Sequence, residues 1–503
     1  MTTILVNGNL LFFSDFFFFF LLILVNILAI ILILIMPEKH LFLIKQLSLV
    51  FSLKLFLISL VLYKVHFNVL VVGGNALSSS FKIFKVLEIY NNKIAFCCDN
   101  ISLLLIILTT FLVFICIAIS LELPNFKAFV LSFFIMELLL LIVWVVFDIF
   151  IFYIFFESVL IPMFVIIKFW GSRARKTRAA YLFFLYTVIG SMPMLFAIMY
   201  IYLKVGTTNV FVLQLMSLFT FTEQKWLWLA FFLAFAVKVP MFPFHLWLPE
   251  AHVEAPTAGS VILAGVLLKL GSYGMLRFLN PLFGVAGVYF TPLVQTISVC
   301  GILYASLTAL RQNDFKRVIA YASIAHMNLI VIGIFSLSLY SIQGAIFQMI
   351  SHGLVASLLF LLVGILYDRS GTRLISNYVG LAVIMPTYAT YFLIATIANM
   401  AFPGSCSFVG EFLLFLGIFL VNVNTGVLSA VGIFLCSTYS IWLYNRTMCG
   451  NLSDQVLSYT DIDKLDVFII RVLLFFIILF GIYPHFITTF IYFDSLYLLL
   501  ISN

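Results

Sequence analysis

Long apolar stretches separated by short polar breaks run along the whole chain. The hydrocarbon core of a bilayer is about 30 Å thick, and an α-helix needs about 20 apolar residues to cross it. The pattern therefore predicts an all-α, polytopic membrane protein with about fourteen transmembrane helices. The predicted spans lie near residues 11–36, 41–63, 101–121, 128–147, 149–167, 181–203, 226–250, 257–279, 288–309, 316–337, 340–366, 378–420, 425–445 and 467–492.

Two of these spans are interrupted by proline. The seventh contains Pro240 and Pro243, and the twelfth, which is too long for one helix, contains Pro403 followed by Gly404. Because proline lacks a backbone N–H, each one leaves an earlier carbonyl without its helical partner. The carbonyls affected belong to Ala236, Val239 and Asn399. Two discontinuous helices five spans apart are typical of inverted five-helix repeats, and two ordinary proline kinks are the alternative.

Composition excludes several classes of protein. The 503 residues are 65% hydrophobic and 9% charged, far from the balance of a soluble domain. The net charge of +7 is spread thinly over loops, which is no footprint for nucleic acid. The sequence has no glycine-rich nucleotide-binding motif, and its seven cysteines lack metal or haem spacing, so we expect no cofactor or metal in this chain.

Basic residues in the loops predict an orientation. Loops after odd-numbered spans hold fourteen lysines and arginines, including the cluster from Arg173 to Arg178, whereas the other loops hold seven. Loops rich in lysine and arginine remain on the side of the membrane from which the protein is inserted. The odd loops should therefore face the mitochondrial matrix, or the cytoplasm in a bacterium. The abundance of residues with AT-rich codons, including 59 phenylalanines, points towards an organelle genome.

Four charged residues lie deep inside predicted spans. A charge at the centre of a bilayer costs roughly 2.5–3.5 kcal/mol on insertion scales, so each one needs a reason. They are Glu157, Lys238, Lys269 and Glu411. A static buried salt bridge is one interpretation, but two acids and two bases exceed the needs of one pair. Burial disfavours the charged form of a lysine and a nearby carboxylate favours it, so such a pair can act as a switchable proton site.

Histidines extend this set. His326 and His352 lie within the tenth and eleventh spans, where each is either a proton relay or a hydrogen-bonding residue of the core. His245 and His252 follow the first break and are expected to have structural or gating roles rather than to bind zinc. Asp99 and Glu122 bracket the third span, where a solvated carboxylate costs little. Glu137 is the more buried acid of the fourth span, and we expect it near a partner subunit or Glu157.

The motifs around these residues resemble the subunit 4 family of NADH–ubiquinone oxidoreductase, respiratory complex I, which are antiporter-like subunits. The resemblance runs from about Asp99 to Arg446. It is carried by FESVLIPM at 156–163, AVKVPMFPFHLWLPEAHVEAPT at 236–257, DFKRVIAY at 314–321 and the stretch from FPG at 402–404 to Glu411. Residues 1–95 match poorly, and 404–407 vary slightly.

The resemblance implies fourteen core helices and a subunit that translocates protons as part of NADH:ubiquinone reductase. It implies that Glu157, Lys238, Lys269 and Glu411 form the proton pathway, with His326 and His352 connecting them. NADH, FMN, iron–sulfur clusters and ubiquinone would be bound by other subunits. Partners would be antiporter-like subunits 2 and 5, accessory subunits and the lipid bilayer of the mitochondrial inner membrane or, alternatively, of a bacterial plasma membrane.

The chain accordingly divides into residues 1–95, with the N-terminal helices, residues 96–450, with the proton-translocating core, and residues 451–503, with a loop and the last span. Two other functions stay open on the sequence alone. One is a stand-alone cation/proton antiporter, because the two families share this fold and these motifs. The other is a membrane scaffold, although a scaffold has no need for a line of buried ionisable groups.

Overall fold

The computed structural model describes residues 2–72, 82–89, 92–215, 219–451 and 459–502, with side chains over 17–66, 95–214, 219–451 and 459–500. The helices are α1 (Thr2–Ile35), α2 (Leu41–Val72), α3 (Asn100–Ile119), α4 (Phe126–Val145), α5 (Ile149–Ser158), α6 (Leu160–Trp170), α7 (Lys176–Val205), α8 (Val210–Leu215), α9 (Phe221–Lys238), α10 (Trp247–Glu254), α11 (Thr257–Ile262), α12 (Leu268–Gly274), α13 (Asn280–Leu282), α14 (Gly284–Arg311), α15 (Phe315–Phe335), α16 (Leu339–Ser370), α17 (Leu381–Ile384), α18 (Pro386–Asn399), α19 (Cys406–Val421), α20 (Val423–Met448), α21 (Lys464–Ile482) and α22 (His485–Ser502).

Short elements complete the list. Two π-helical turns, Leu263–Leu267 and Met275–Leu279, flank α12 and join α11 to α13 in one continuous span. Single 3-10 turns lie at Glu38–His40 and Ile375–Asn377. Strands β1 (Lys82–Ile89) and β2 (Asn92–Cys98) form an antiparallel hairpin. The sequence pattern predicted only a loop there.

The number of spans agrees with the prediction. Within the described residues, twelve helical segments are long and apolar enough to cross a membrane. Two further spans are broken, α9 with α10 and α18 with α19, and they bring the total to the fourteen predicted. Alternating spans make these two broken helices run in opposite directions, as an inverted repeat requires.

The helices at the centre of the bundle are buried more completely than those at its edge. The span Thr257–Leu282 and helix α16 are surrounded by protein along their whole apolar windows, and α15 nearly so. By contrast, α1, α2 and α21 bury less than a third of theirs, so their remaining faces meet lipid or other chains. Because burial in protein allows polar groups to be partnered, the central helices are the ones that can carry ionisable side chains.

The last predicted span, 467–492, is wrong at its far end. Helix α21 ends at Ile482, and α22 begins at His485, directly after Pro484. Proline cannot continue the preceding helix but is suited to the start of a new one. Apolar residues continue across the break, so hydropathy alone could not separate the two helices.

Helix α22 packs against α3, α13, α14 and α16. The Asp494 carboxylate accepts hydrogen bonds from the backbone N–H of Ile101 at 3.2 Å and from the Asn100 side chain at 3.4 Å. The Asn100 amide also donates to the carbonyl of Phe490 at 2.7 Å. A carboxylate at a helix N-terminus satisfies free N–H groups and faces the positive end of the helix dipole. Asp494 therefore fixes α22 to the beginning of α3.

Asp99 corrects a sequence prediction, since it is buried rather than solvated. It forms an ion pair with the guanidinium of Arg277, which also lies buried, within the second π-helical turn, rather than in a loop as the basic-residue count assumed. Asp494 lies within electrostatic range of both groups. Arg277 is thus paired with Asp99 and lies near Asp494, and we refer to Asp99, Arg277 and Asp494 as the arginine cluster.

Candidate functional site

The break between α9 and α10 places Lys238 at the last position of α9, and its side chain is only 5% exposed. Its ammonium group donates to the carbonyl of Phe156 at 2.6 Å and lies 3.2 Å from the centre of the Phe156 ring. Glu157, the next residue along α5, has a carboxylate oxygen 3.9 Å from the same nitrogen. The predicted acid–lysine pair therefore exists, but the lysine makes its short contacts with a backbone carbonyl and a ring rather than with the acid.

Two carbonyls beside this break, those of Ala236 and Val237, have partners in the protein. The backbone N–H of Met241 donates to Ala236 at 3.0 Å, and the Trp247 indole donates to Val237 at 2.9 Å. Backbone breaks at membrane depth are tolerated where protein satisfies the exposed groups. The prediction that Pro240 deprives Ala236 of its usual helical donor is confirmed, and Met241 replaces that donor.

Helix α12 packs directly against the break. A Cβ atom on Gly271 would lie 2.5 Å from Val239 Cγ2 and 2.9 Å from the carbonyl oxygen of Phe235. Real Cβ atoms essentially never approach so closely, so only glycine permits this contact. Since Lys269 lies two residues before Gly271, the approach brings its helix next to the end of α9.

Lys269 is fully buried and lies just after the first π-helical turn. Its ammonium group contacts the carbonyl of Ala264 at 2.5 Å, five residues earlier, and His352 Nδ1 on α16 at 2.8 Å. A π turn shifts the hydrogen-bond register of a helix and is frequent at functional sites. Here it places a backbone acceptor within reach of the lysine, so both contacts of Lys269 are polar although its span is apolar.

The row of polar groups continues from α16 to α15 and α19. The rings of His352 and His326 have centroids 5.8 Å apart, and His326 Nδ1 lies 3.0 Å from an oxygen of Glu411. The amide of Gln348 donates to the same oxygen at 3.3 Å, and Ser351 donates to Gln348 at 2.8 Å. Lys269, His352, His326 and Glu411, which we call the central row, thus lie in sequence across the buried centre of the bundle.

The second break lies beside Glu411. The thiol of Cys436 on α20 contacts His326 Nε2 at 3.7 Å, the Tyr439 hydroxyl at 2.9 Å and the carbonyl of Asn399 at 3.6 Å. The Asn399 carbonyl is the group that Pro403 deprives of its helical donor, so Cys436 supplies a partner for it. Sequence reasoning missed Cys436 and Tyr439, because neither residue belongs to a charged class.

Lys316 is a second residue whose predicted position, in a loop, is wrong. It was counted among the loop cations, but it is 1% exposed and donates to the carbonyl of Ala255 at 2.8 Å and contacts the Ser260 hydroxyl at 3.3 Å. These bonds fix the connection between α10 and α11. The signal was its position two residues into the DFKRVIAY motif, at the very start of a span.

The other histidines lie near the site rather than in the row. His252 is fully buried and stacks on Phe360 with ring centroids 4.5 Å apart, within electrostatic range of Lys316 and Lys269. His245 lies among the rings of Phe242 and Tyr304. Their expected structural or gating roles stay predictions.

Glu137 is fully buried in α4, and neither of its carboxylate oxygens has a hydrogen-bond partner among the described residues. Helix α4 packs against α1, α3, α5 and α6.

Within the described residues, no group of three or more histidine, cysteine or acidic side chains is arranged to hold a metal ion. Five of the seven cysteines are buried, whereas Cys300 and Cys449 are exposed.

The central row joins a donor, two amphoteric rings and an acceptor. A protonated lysine can only donate, a histidine can accept at one nitrogen while donating at the other, and a carboxylate can accept. The nitrogen of His352 that faces away from Lys269, Nε2, is buried and makes no hydrogen bond within the described residues. Such an arrangement can pass protons along the row when each group changes its protonation state.

Comparison with known proteins agrees with this architecture. Residues 146–436 match a family described as NADH:quinone oxidoreductase/Mrp antiporter, TM. The chain superimposes on a chain of the respiratory complex I from Thermus thermophilus with bound NADH, with a TM-score of 0.86 and 27% identity, covering 96% of this chain and 99% of that one. It has the same fold as a chain of a membrane-bound sulfane sulfur reductase, an archaeal respiratory complex, with a TM-score of 0.82 at 20% identity.

Curated relatives are still more similar in sequence. The chain is 48% identical to NADH-ubiquinone oxidoreductase chain 4 of Arabidopsis thaliana over 91% of its own length and 92% of that protein. It is 46% identical to the chain 4 of Chondrus crispus over 95% and 96% of the two lengths. On the strength of this similarity, the chain belongs to the family of NADH–ubiquinone oxidoreductase chain 4.

Proposed function

We propose that this chain is a proton-translocating membrane-arm subunit of NADH:ubiquinone oxidoreductase, in which transfer of electrons from NADH to quinone drives proton pumping. The observation that supports this most strongly is the central row, because four buried titratable side chains from four helices meet there. A scaffold does not require these groups, since charged side chains inside a membrane protein are costly to retain.

Each residue has a role that follows from its contacts. Glu157 stabilises the charged form of Lys238, and neutralising or moving the carboxylate releases the lysine proton towards Lys269 on the adjoining helix. Lys269 then passes a proton to Nδ1 of His352, which it contacts at 2.8 Å. The two histidine rings are 5.8 Å apart, so the next transfer needs a bridging water molecule or a ring rotation. Glu411 accepts from Nδ1 of His326.

The chemistry of electron transfer belongs elsewhere in this proposal. NADH, FMN, the iron–sulfur clusters and ubiquinone are bound by other subunits, and this chain contributes the proton pathway. Antiporter-like subunits 2 and 5 and accessory subunits are its neighbours in the mitochondrial inner membrane, with the basic segment from Arg173 to Arg178, at the beginning of α7, facing the matrix. The relatives from Arabidopsis thaliana and Chondrus crispus, both named NADH-ubiquinone oxidoreductase chain 4, support the assignment to this complex.

A stand-alone cation/proton antiporter is the second candidate, because the matching family also covers such antiporters. The two functions differ in what drives the proton. The test is native electrophoresis of solubilised membranes, followed by pH-dye measurements in sealed vesicles. We expect the chain to migrate with flavin and iron–sulfur subunits, and vesicles to acidify with NADH. Migration without those subunits, together with pH changes driven by a sodium or potassium gradient in the absence of NADH, would contradict the proposal.

A further inference from the structure

Helix α21 and the residues before it follow the second broken helix as far as its break. At the beginning of α18, the Asp461 carboxylate accepts hydrogen bonds from the backbone N–H groups of Thr387 at 3.1 Å and Tyr388 at 3.3 Å. The first N–H groups of a helix have no partner within it, so this carboxylate caps them from outside. About one turn further along α18, the Tyr391 hydroxyl accepts a hydrogen bond at 2.8 Å from the guanidinium of Arg471, on α21.

The third contact lies at the break itself. A Cβ atom on Gly481, near the end of α21, would collide with the carbonyl oxygen of Gly404 and lie 2.6 Å from its carbonyl carbon. It would also lie 2.7 Å from the carbonyl carbon of Ser405, the residue directly before α19. Because all of these atoms belong to the backbone, no side-chain rotation can relieve the crowding. Glycine at position 481 is therefore what allows α21 to touch the break.

The three contacts follow the same order along both segments. They run from the beginning of α18 to the break, and from the residues before α21 to its end. The proline in the break interrupts the hydrogen-bond ladder that would otherwise join α18 to α19. Helix α21 bridges this interruption, since it binds α18 on one side of the break and contacts the start of α19 on the other.

The opposite side of α19 is also closely packed. A Cβ atom on Gly344, in α16, would lie 2.5 Å from the backbone nitrogen of Leu414, in α19. Helix α19 therefore lies between the backbones of α16 and α21 and has little room to move away from either. Glu411 lies on the stretch of α19 between these two contacts and reaches His326 Nδ1 at 3.0 Å. A shift at Ser405 should therefore change the contact between Glu411 and His326.

We propose that Gly481 is a positioning residue for the proton pathway. By allowing α21 to contact the break, it sets the position of α19 and hence the distance from Glu411 to His326. This role depends on the proposed function, because Gly481 acts only through Glu411. An outer helix, most of whose surface faces lipid or other chains, thus reaches the end of the central row.

The test compares Gly481→Ala with Glu411→Gln in the whole particle. Native electrophoresis measures assembly, and pH-dye quenching in vesicles measures NADH-driven pumping over a range of pH. Gly481→Ala should assemble and lower pumping about tenfold, since a misplacement of about 1 Å can cost roughly a hundredfold in rate. It should also displace the part of the pH profile that Glu411→Gln removes, because the ionisation of a carboxyl group depends on its distance from a neighbouring histidine. A particle that is only less stable would keep the parental profile at lower amplitude.

The matched control is Gly426→Ala, on α20. A Cβ atom there would lie 2.7 Å from the ring of Phe419, whose side chain is 40% exposed and can rotate away. Pumping and its pH profile should therefore stay parental. Tyr391→Phe is a second variant, which removes the hydrogen bond to Arg471 without adding volume and carries the test if Gly481→Ala does not assemble. It should displace the same part of the pH profile by a smaller amount.

The outcomes separate this role from the proposed function. A parental rate and pH profile in assembled Gly481→Ala, beside altered ones in Glu411→Gln, would overturn the positioning role and leave the proposed function intact. A parental Tyr391→Phe would do the same where Gly481→Ala fails to assemble. Reduced pumping in Gly426→Ala would also overturn the role, because any added methyl group would then suffice. Parental pumping in Glu411→Gln would contradict the proposed pathway, and the role of Gly481 would fall with it.

Discussion

The arginine cluster and the central row are both buried sets of ionisable groups, yet they are built differently. The cluster holds one arginine in an ion pair with Asp99, at the N-cap of α3, and within electrostatic range of Asp494, in the middle of α22. The row holds Lys269 and two histidines before it reaches Glu411. Arginine stays protonated inside proteins, whereas buried lysine and histidine can lose their proton. Permanent charge suits a place where elements must be fixed together, and titratable charge suits the proton transfer that we propose for the row.

The geometry of the two sets supports the same distinction. Asp494 also caps the N-terminus of α3, so the cluster has both ionic and helix-capping contacts. The row contains a 5.8 Å step between its two histidines, and the Glu157–Lys238 pair that precedes it is 3.9 Å apart. In a network that stabilises the fold, neighbouring groups should be within hydrogen-bonding distance of one another at all times. In a network that transfers protons, hydrogen bonds between neighbouring groups must be able to form and break.

The largest expected effect comes from breaking the cluster. Arg277→Met leaves two buried carboxylates without a cation, and removing one partner of a buried ion pair costs about 3–5 kcal/mol. We expect little or no assembled particle on native electrophoresis. Arg277→Lys keeps the charge and should assemble at an intermediate level. Normal assembly of the methionine variant would show that the cluster is not structural.

Lys238→Arg tests the proposed transfer site, because it replaces a titratable charge with a permanent one. Arginine keeps the charge and the reach but does not deprotonate inside a protein. The variant should assemble normally and lose most proton translocation, measured by pH-dye quenching in vesicles from the same preparation. The matched control is Lys54→Arg, at an exposed lysine of α2. Pumping at the parental rate in Lys238→Arg would leave Lys238 as a structural charge only.

A smaller effect is expected from Glu157→Gln. The carboxylate lies 3.9 Å from Lys238, which keeps its shorter contacts with Phe156 when the acid is neutralised. Assembly should be normal, and coupled electron transfer from NADH to quinone should fall several-fold, because the pair loses its switching charge. The exposed Glu38→Gln provides the control. Parental pumping in a stable Glu157→Gln particle would assign Glu157 a structural role.

The sequence predicted the number of spans, both broken helices and the burial of five of the six proposed pathway residues, because apolar length and proline act locally; the sixth, Glu157, has a side chain that is 18% exposed. It could not predict which of these residues touch. Lys269 and His352 are 83 positions apart, and their contact depends on how α12 and α16 pack. The same limit explains Asp99, whose burial depends on Arg277 and on a helix almost 400 residues later.

Local pattern was also insufficient at two boundaries. The apolar run from α21 to α22 continues past Pro484, so neither hydrophobic periodicity nor hydropathy indicates that α21 ends there. Only the proline itself marks the boundary between the two helices. Lys316 lies where a loop becomes a helix, and a basic residue at that position suggests an exposed end. Its burial follows from the neighbouring connection between α10 and α11, whose carbonyl it binds.

The bond from Asp494 to the beginning of α3 joins residues 394 positions apart. At 5–20 residues per second, a ribosome needs about 20–80 s to advance from Asn100 to Asp494. During that time α3 has already been inserted into the membrane, and the only cap available to its N-terminus is the local capping box of Asp99 and Ser102. The contact with Asp494 is therefore among the last tertiary contacts that α3 makes in a newly synthesised chain, because it must wait for α22.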